Sequence, residues 1–387
     1  MASNNSRDNS MYHFGFILST LLGNKTRYDT LKKYSARETD INCTWAPVRH
    51  YYLPTETDPV AILPGPLHTR AVVIAQAWPV LRRLRHFDAV MVHQFEVSSL
   101  LALRASAAGA PIIVNAHDNP PVIDPATYPL YPEQRDKAAW RSKLRLTNDL
   151  WAVRRAGYFL GFSPWSANII ERCGLDPSKV VAQHVGLDLE QWHTPPEKPA
   201  TDKVKLLFVG GDFTRKGGTK LLQIYAADLV DRCTLDIVTG TELADLPTGC
   251  RVFHGMTPGS PELLNLFRQA DILILPTEAD LVPWVVLEAM ACGCAVIASR
   301  IGGIPDLVSE DCGILFDPGD STELRSALLS LTGDPDRRRA MGIAGRRRIE
   351  IDFDAARNVP RIFRIMKQWV DDRRARHRGD GNRDRAA

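Results

Sequence analysis

Residues 271–293 read DILILPTEADLVPWVVLEAMACG. An apolar run of strand length ends at Pro276-Thr277, a short acidic loop follows, and an almost wholly apolar run of helical length then closes at Gly293. The same alternation of short apolar run and helical stretch continues in both directions. Downstream the strand candidates are AVIASR (295–300) and GILFD (313–317), and upstream VKLLFVGG (204–211), TLDIVTG (234–240) and RVFHG (251–255). The first half holds YHFGFILST (12–20), INCTWAPV (41–48), FDAVMVHQF (87–95), PIIVNAHD (111–118), GYFLGFS (157–163) and VVAQHVG (180–186). Strands separated by helices end to end specify an α/β fold with parallel sheets covered by helices on both faces. Two comparable Rossmann-like domains result.

The length agrees, because 387 residues exceed what one hydrophobic core normally serves. Residues 191–203 are rich in proline and charge and read as an exposed linker between an N-terminal domain (11–190) and a C-terminal one (204–352). Residues 353–375 read as an amphipathic helix with Ile362, Phe363, Ile365, Met366 and Trp369 on its apolar side, followed by a disordered tail (376–387). The polar start, residues 1–10, lacks an apolar h-region and reads as a disordered lead, and no apolar run is long enough to span a bilayer, so a cytoplasmic protein is expected.

Hydrophobic residues make up 44% and charged residues 24%, as in ordinary globular domains. Seven cysteines without a CxxC pair argue against a disulfide framework and a zinc site. A net charge of +3 does not suggest nucleic acid. The runs Arg337–Arg339, Arg346–Arg348 and Arg373–Arg378 read as solvated helix faces and a frayed tail.

In open α/β sheets ligands bind beyond the carboxyl ends of strands, so Glu278, Asp280 and the start of the helix after DILILPT face such a crevice. Pro283 suits the first helical position, beside free N–H groups that can meet a phosphate. Glu288 lies about 8 Å further along the axis at ~1.5 Å per residue, the distance of a ribose from its phosphates. Its neighbours Val285, Val286, Leu287, Ala289, Met290 and Ala291 are apolar, and a glutamate in a buried helix needs a partner. Asp280 also reads as a simple helix cap. In FVGGDFTRKGG (208–218), Gly210 and Gly211 end a strand, and Arg215 and Lys216 are cations that either neutralise a diphosphate or belong to an exposed charged turn. The segment lacks P-loop spacing and GxGxxG.

Residues 276–293 resemble the donor-site signature of glycosyltransferase family 4, retaining enzymes of the GT-B fold, in which two Rossmann-like domains face a central cleft. The spacing of Asp280 and Glu288 and the Ala-Met-Ala that follows carry the match, and SRIGGIPDLV (299–308) and DCGILFDPGD (311–320) extend it. The resemblance implies that Asp280 contacts the transferred sugar and Glu288 the ribose. Gly210, Gly211, Arg215, Lys216, Leu281, Val282, Pro283 and Trp284 would complete the donor site. The first acid is commonly glutamate, its third successor is often glycine, and the arginine often follows the strand's glycine directly. Asp280, Pro283 and Gly211 depart from that pattern.

In the first half the resemblance makes Gly23 and Asn24, in LLGNKTR (21–27), an acceptor or phosphate loop, and His117, at the end of PIIVNAHD, an active-site histidine. SPWSANIIERCGLDPSKVVAQHVGLD (163–188) resembles the segment leading into the linker. The implied reaction is retaining hexosyl transfer from a nucleotide-diphosphate sugar, with no cofactor. No Asp-x-Asp stands in the loops that follow the strands at the crevice to hold a metal, so Lys216 with Arg215 would take its part. A nucleotide-sugar epimerase and a non-catalytic sugar-nucleotide binding subunit are the alternatives. The acceptor stays open among glycan, lipid and small molecule. Arg70, Arg82, Arg83 and Arg85 suit either peripheral contact with anionic lipid at the inner face of a membrane or a soluble helix face.

Overall fold

The computed structural model of the chain describes residues 11–20, 23–49, 65–93, 95–103, 109–117, 139–195 and 202–383. It contains two six-stranded sheets, every strand pair of which is parallel. The first half runs β1 (Tyr12–Ser19), α1 (Gly23–Ser35), β2 (Ile41–Val48), α2 (Gly65–Leu81), β3 (Ala89–Val92), α3 (Phe95–Ala102), β4 (Ile112–His117), α4 (Ala139–Ala156), β5 (Gly157–Gly161), α5 (Pro164–Arg172) and β6 (Val180–Ala182). The second runs β7 (Val204–Val209), α6 (Gly218–Ile224), β8 (Cys233–Val238), β9 (Cys250–Phe253), α7 (Pro261–Gln269), β10 (Ile272–Leu275), α8 (Trp284–Ala291), β11 (Ala295–Ser299), α9 (Ile304–Leu307), β12 (Gly313–Phe316), α10 (Ser321–Gly333), α11 (Pro335–Asp352) and α12 (Ala355–Arg383). The α/β class with two Rossmann-like halves is therefore the observed one.

The sheet orders are β2-β1-β3-β4-β5-β6 and β12-β11-β10-β7-β8-β9. In each, chain progress reverses beside the first strand, between β1 and β3 and between β7 and β10. At such a switch point the loops leaving adjacent strands turn opposite ways and leave a crevice. β3 and β10 are wholly buried, as their uninterrupted apolar sequences require in a sheet covered on both faces.

One face of the first sheet is covered by α2 and α3 through Val73, Ala77, Val80, Val97 and Leu101. The other receives α1 and α12. Phe363 of α12 stacks on Phe14 with ring centroids 6.2 Å apart and meets Phe16 edge-on at 6.1 Å. Lys367 pairs with Asp40 at 2.6 Å, and Arg374 with Asp88 at 2.8 Å. The chain thus passes between the halves twice, and the passages touch: Leu187 N–H donates to Phe353 O (2.7 Å) and Ala355 N–H to Leu187 O (2.9 Å).

Three local readings differ from the structure. Helix α12 extends to Arg383, past the expected tail boundary at 376, because Arg374 and the Arg376–Tyr158 bond (3.0 Å) anchor it there and extension of a formed helix is easy. Gly23 and Asn24 open α1 rather than lying in a loop, since both residue types favour helix starts. The basic runs are not simply solvated. Arg338 Nη1 donates to Leu331 O, Arg346 Nη1 to Trp192 O and Ala291 O, and Arg348 Nη2 to Asp306 O, each at 2.8–2.9 Å. No helix among the described residues is long and apolar enough to cross a membrane.

Candidate functional site

The second switch point is lined by the loops after β7 and β10. Beyond β7 the chain turns through Gly217, whose φ is +77° and whose Cβ, if present, would lie 1.9 Å from Pro276 O. Only glycine fits both demands, so Gly217 locks the two loops together. Glu278 N–H donates to Arg215 O (3.1 Å), and Arg215 Nη1 donates to Ala279 O (2.9 Å). Held this way, Lys216 Nζ bonds Asp280 Oδ2, while Asp280 Oδ1 accepts from Leu281 N–H (3.0 Å). Gly210 lies under Lys216, and a Cβ there would come within 2.9 Å of the lysine Cγ.

The other cations differ in posture. The Arg215 guanidinium is engaged by Asp212 (3.2 Å) and the Ala279 carbonyl, so it braces the loop. Glu278 turns outward to Lys220 (2.7 Å). Gly211 has open space where a Cβ would be, and its carbonyl accepts from Gly240 N–H (3.1 Å). The close backbone approach expected at Gly211 is not used within the chain itself.

Helix α8 begins at Trp284, with Pro283 as its N-cap rather than its first residue. Proline's ψ of 119° keeps it just outside the helix, and it offers no side-chain cap. The turn at Gly302 supports this loop: its φ is +58°, a Cβ there would meet Asp280 O at 2.4 Å, and Gly303 N–H donates to Leu281 O (2.7 Å). Glu288, in the second turn of α8, is 3% exposed. Burial alone pushes its carboxyl up from 4.5 to about 8. Among the described residues no hydrogen bond or ion pair to that carboxyl occurs, and nearby the Trp284 indole N–H is buried without an acceptor. The partner that the sequence demands for Glu288 is therefore not supplied by those residues.

Across the crevice stands the switch point of the first sheet. His117 is buried at the end of β4 and stacks on His93, which follows β3, at 5.0 Å. His93 Nε2 lies 3.1 Å from Arg27 Nη1, whose guanidinium covers Phe162 at 3.9 Å and Trp284 at 5.6 Å. Arg27 Nη1 also donates to Asn24 Oδ1 (2.8 Å). His184 packs on Trp284 at 5.1 Å. Through Arg27, the first half thus brings Asn24, His93 and His117 toward Trp284, the residue that opens α8. Asp118 lies outside the described residues. Among those residues no group of three His, Cys, Asp or Glu is placed to hold a metal ion.

Two family models match the chain: glycosyl transferases group 1 over residues 203–334, and glycosyltransferase family 4 over residues 37–191. The chain belongs to these glycosyltransferases.

Its relatives include the sulfoquinovosyl transferase SQD2 of Arabidopsis thaliana, 39% identical over 121 residues, 30% of this chain and 24% of that protein. The alpha-maltose-1-phosphate synthase of Mycolicibacterium smegmatis is 29% identical over 227 residues, 50% of this chain and 58% of that one. The chain thus matches only 24% and 58% of the length of these curated relatives. Sucrose-phosphate synthase from Thermosynechococcus elongatus superposes with a TM-score of 0.75 at 16% identity, over 93% of this chain and 99% of that chain. That likeness is one of fold, GT-B, with the two sheets facing a cleft.

Sequence reading alone did not single out several residues that the structure brings together here. Arg27 is 2% exposed although it is an arginine in a polar stretch. His93, Phe162, His184 and Asp306 complete the set. Asp306, in α9, accepts from Trp165 N–H at the start of α5 (2.7 Å), which ties the second half to the first. Burial raises its carboxyl, and the bonds from Trp165 and Ser163 oppose the rise. The available signal was position for His93, Phe162 and His184, each of which follows a strand, whereas Arg27 and Asp306 lie inside helices.

Proposed function

We propose that the chain transfers a hexosyl group from a nucleotide-diphosphate sugar to an acceptor hydroxyl, retaining the anomeric configuration and requiring no metal. The second half, residues 204–352, holds the donor, and the first, residues 11–190, presents the acceptor. The observation that carries the reading is Glu288, a buried carboxyl with no partner among the described residues, one helical turn behind an open helix N-terminus. A ribose supplies the hydroxyls such a carboxyl needs, and the diphosphate then falls at the first turn of α8, beside Lys216.

In the reaction the bond from the anomeric carbon to the diphosphate breaks while the acceptor oxygen bonds from the same face and its proton passes to the departing phosphate oxygen. Negative charge grows on the departing diphosphate. Lys216 and the free N–H groups of α8 stabilise that charge more in the transition state than in the ground state. Asp280 is the group for the sugar hydroxyls. It already orients Lys216 through their ion pair. His117 lines the acceptor side of the anomeric carbon, and Gly23 and Asn24 lie with it.

The test is thermal unfolding in the presence of UDP, GDP, ADP and their sugar conjugates, followed by turnover with the stabilising donor. A ligand at a hundred times its Kd adds ~2.7 kcal/mol of stability. One nucleotide is expected to stabilise the protein, and activity is expected to survive EDTA. Lys216→Ala is expected to lose ~1.5 to 3 kcal/mol of transition-state binding, seen in kcat/KM. Donor epimerised without acceptor, or bound without turnover, would replace transfer with the corresponding alternative. Strict dependence on magnesium or manganese would overturn the metal-free site.

A further inference from the structure

Helices α2, α3 and α4 lie side by side on one face of the first sheet, and their outward side is unusual. It exposes large apolar side chains: Trp78 is 57% exposed, Leu103 67% and Trp151 42%. On α4 a groove of about 440 Å³ is lined by Thr147, Leu150, Trp151, Arg154 and Arg155. Arg82, Arg83, Arg85, Arg154 and Arg155 are all exposed around these residues. Segments 65–103 and 139–156 together carry nine Lys and Arg against three Asp and Glu, whereas the whole chain carries 48 against 45. Of those acids, Asp88 is engaged by Arg374 and His13 N–H, and Asp149 is buried. Among the described residues, this face therefore presents five exposed arginines and no exposed carboxylate.

We propose that the outer face of α2–α4 docks on an anionic phospholipid surface, with Trp78, Trp151 and Leu103 entering the interfacial zone and the arginines meeting lipid phosphates. Indole rings favour the headgroup level, and arginine stems bury their methylenes while the guanidinium stays at the polar boundary. A peripheral helix face with this pairing of aromatic and cationic residues partitions by apolar area and charge together. A second copy of the chain fits less well, because a two-fold contact through this face sets arginines against arginines. A nucleic acid would use the charge and leave the apolar residues idle. The inference is independent of the donor site.

The experiment is co-sedimentation of the full chain with vesicles of phosphatidylcholine alone or with about one third phosphatidylglycerol, at low salt. The protein pellets with the anionic vesicles and stays in solution with the zwitterionic ones. Each Arg at such a surface is worth about fivefold, from ~1 kcal/mol. Combined Arg82→Ser, Arg83→Ser and Arg155→Ser therefore lowers partition on the order of a hundredfold. Trp78→Ser with Trp151→Ser weakens partition and abolishes most of the quenching of tryptophan fluorescence by brominated lipid. All five side chains are exposed, so thermal midpoints within a degree or two of the parent certify folding.

Equal pelleting with both vesicle types, or none with either, overturns the proposal. So does full-strength vesicle binding by the tryptophan variant, which would make the face a site for polyanions in general. A solution dimer dissolved by that same variant would assign the face to a second copy instead.

Discussion

Glu288 holds a carboxyl at the centre of a helix that is otherwise apolar, and its folded-state value of about 8 lies above the ordinary 4.5. For an acid so raised, the protonated form is favoured by folding. The associated stability is complete below about pH 4.5, declines as the unfolded chain ionises, and is gone above about pH 8. One pKa unit is worth ~1.4 kcal/mol, so the decline amounts to several kcal/mol. Glu288→Gln has no such proton to lose. Urea unfolding of both proteins should show the parent losing stability from pH 5 to 8 relative to the variant, and parallel curves would show that the carboxyl is solvated or paired. Gly217 makes a second residue-scale case. Gly217→Ala adds left-handed strain, ~1 to 2 kcal/mol, to a collision with Pro276 O. It is expected to cost more than that strain alone in denaturant unfolding, and to weaken donor binding, because the β7 and β10 loops would separate.

The element that matters most is α8, and its fixing comes from behind. Its last carbonyl, Ala291 O, accepts from Arg346 Nη1 (2.8 Å) and Thr194 Oγ1 (3.3 Å). Gly342 of α11 lies so close to Gly293 that a Cβ would stand 2.3 Å from its carbonyl oxygen. A cation at a helix C-terminus also complements its dipole. Arg346→Ala should therefore destabilise by ~1.5 to 3 kcal/mol, checked by chemical unfolding, with Arg346→Lys recovering part. Helix α12 acts on the first half in the same way. Phe363→Ala removes a ring packed between Phe14, Phe16 and the helix, and ~3 to 5 kcal/mol of stability is expected to go with it.

For the molecule as a whole, α12 and a set of contacts between the two sheets' loops couple the halves. Leu187 and Phe353–Ala355 pair where the chain crosses, Arg27 meets Trp284, and Asp306 receives the Trp165 N–H. The last of these ties the turn that supports Asp280 and Leu281 to the start of α5. Asp306→Ala should leave nucleotide affinity nearly unchanged, since the proposed donor site lies within the second half. It should lower kcat/KM about tenfold, the loss of ~1.4 kcal/mol of transition-state alignment. A variant that loses nucleotide affinity as strongly as turnover would place the effect inside the donor domain instead.

The sequence by itself determined the alternation of strand and helix, because each buried strand had to be an apolar run and each helix needs its own length of chain. It therefore specified the two parallel sheets and the ordinary positions of Lys216, Asp280 and Glu288 at strand and helix ends, all features set by short-range order along the chain. What it could not determine is which distant segments share the crevice. Arg27 looks like any surface arginine until α1 brings it against Phe162, His93 and Trp284, and Arg346 and Arg348 look like a solvated run until α11 aims them at the carbonyls of Ala291 and Asp306. Only the tertiary structure decided these, because a side chain's burial and partners depend on packing between elements. Periodicity records which face of an element is buried, and carries no label for what buries it.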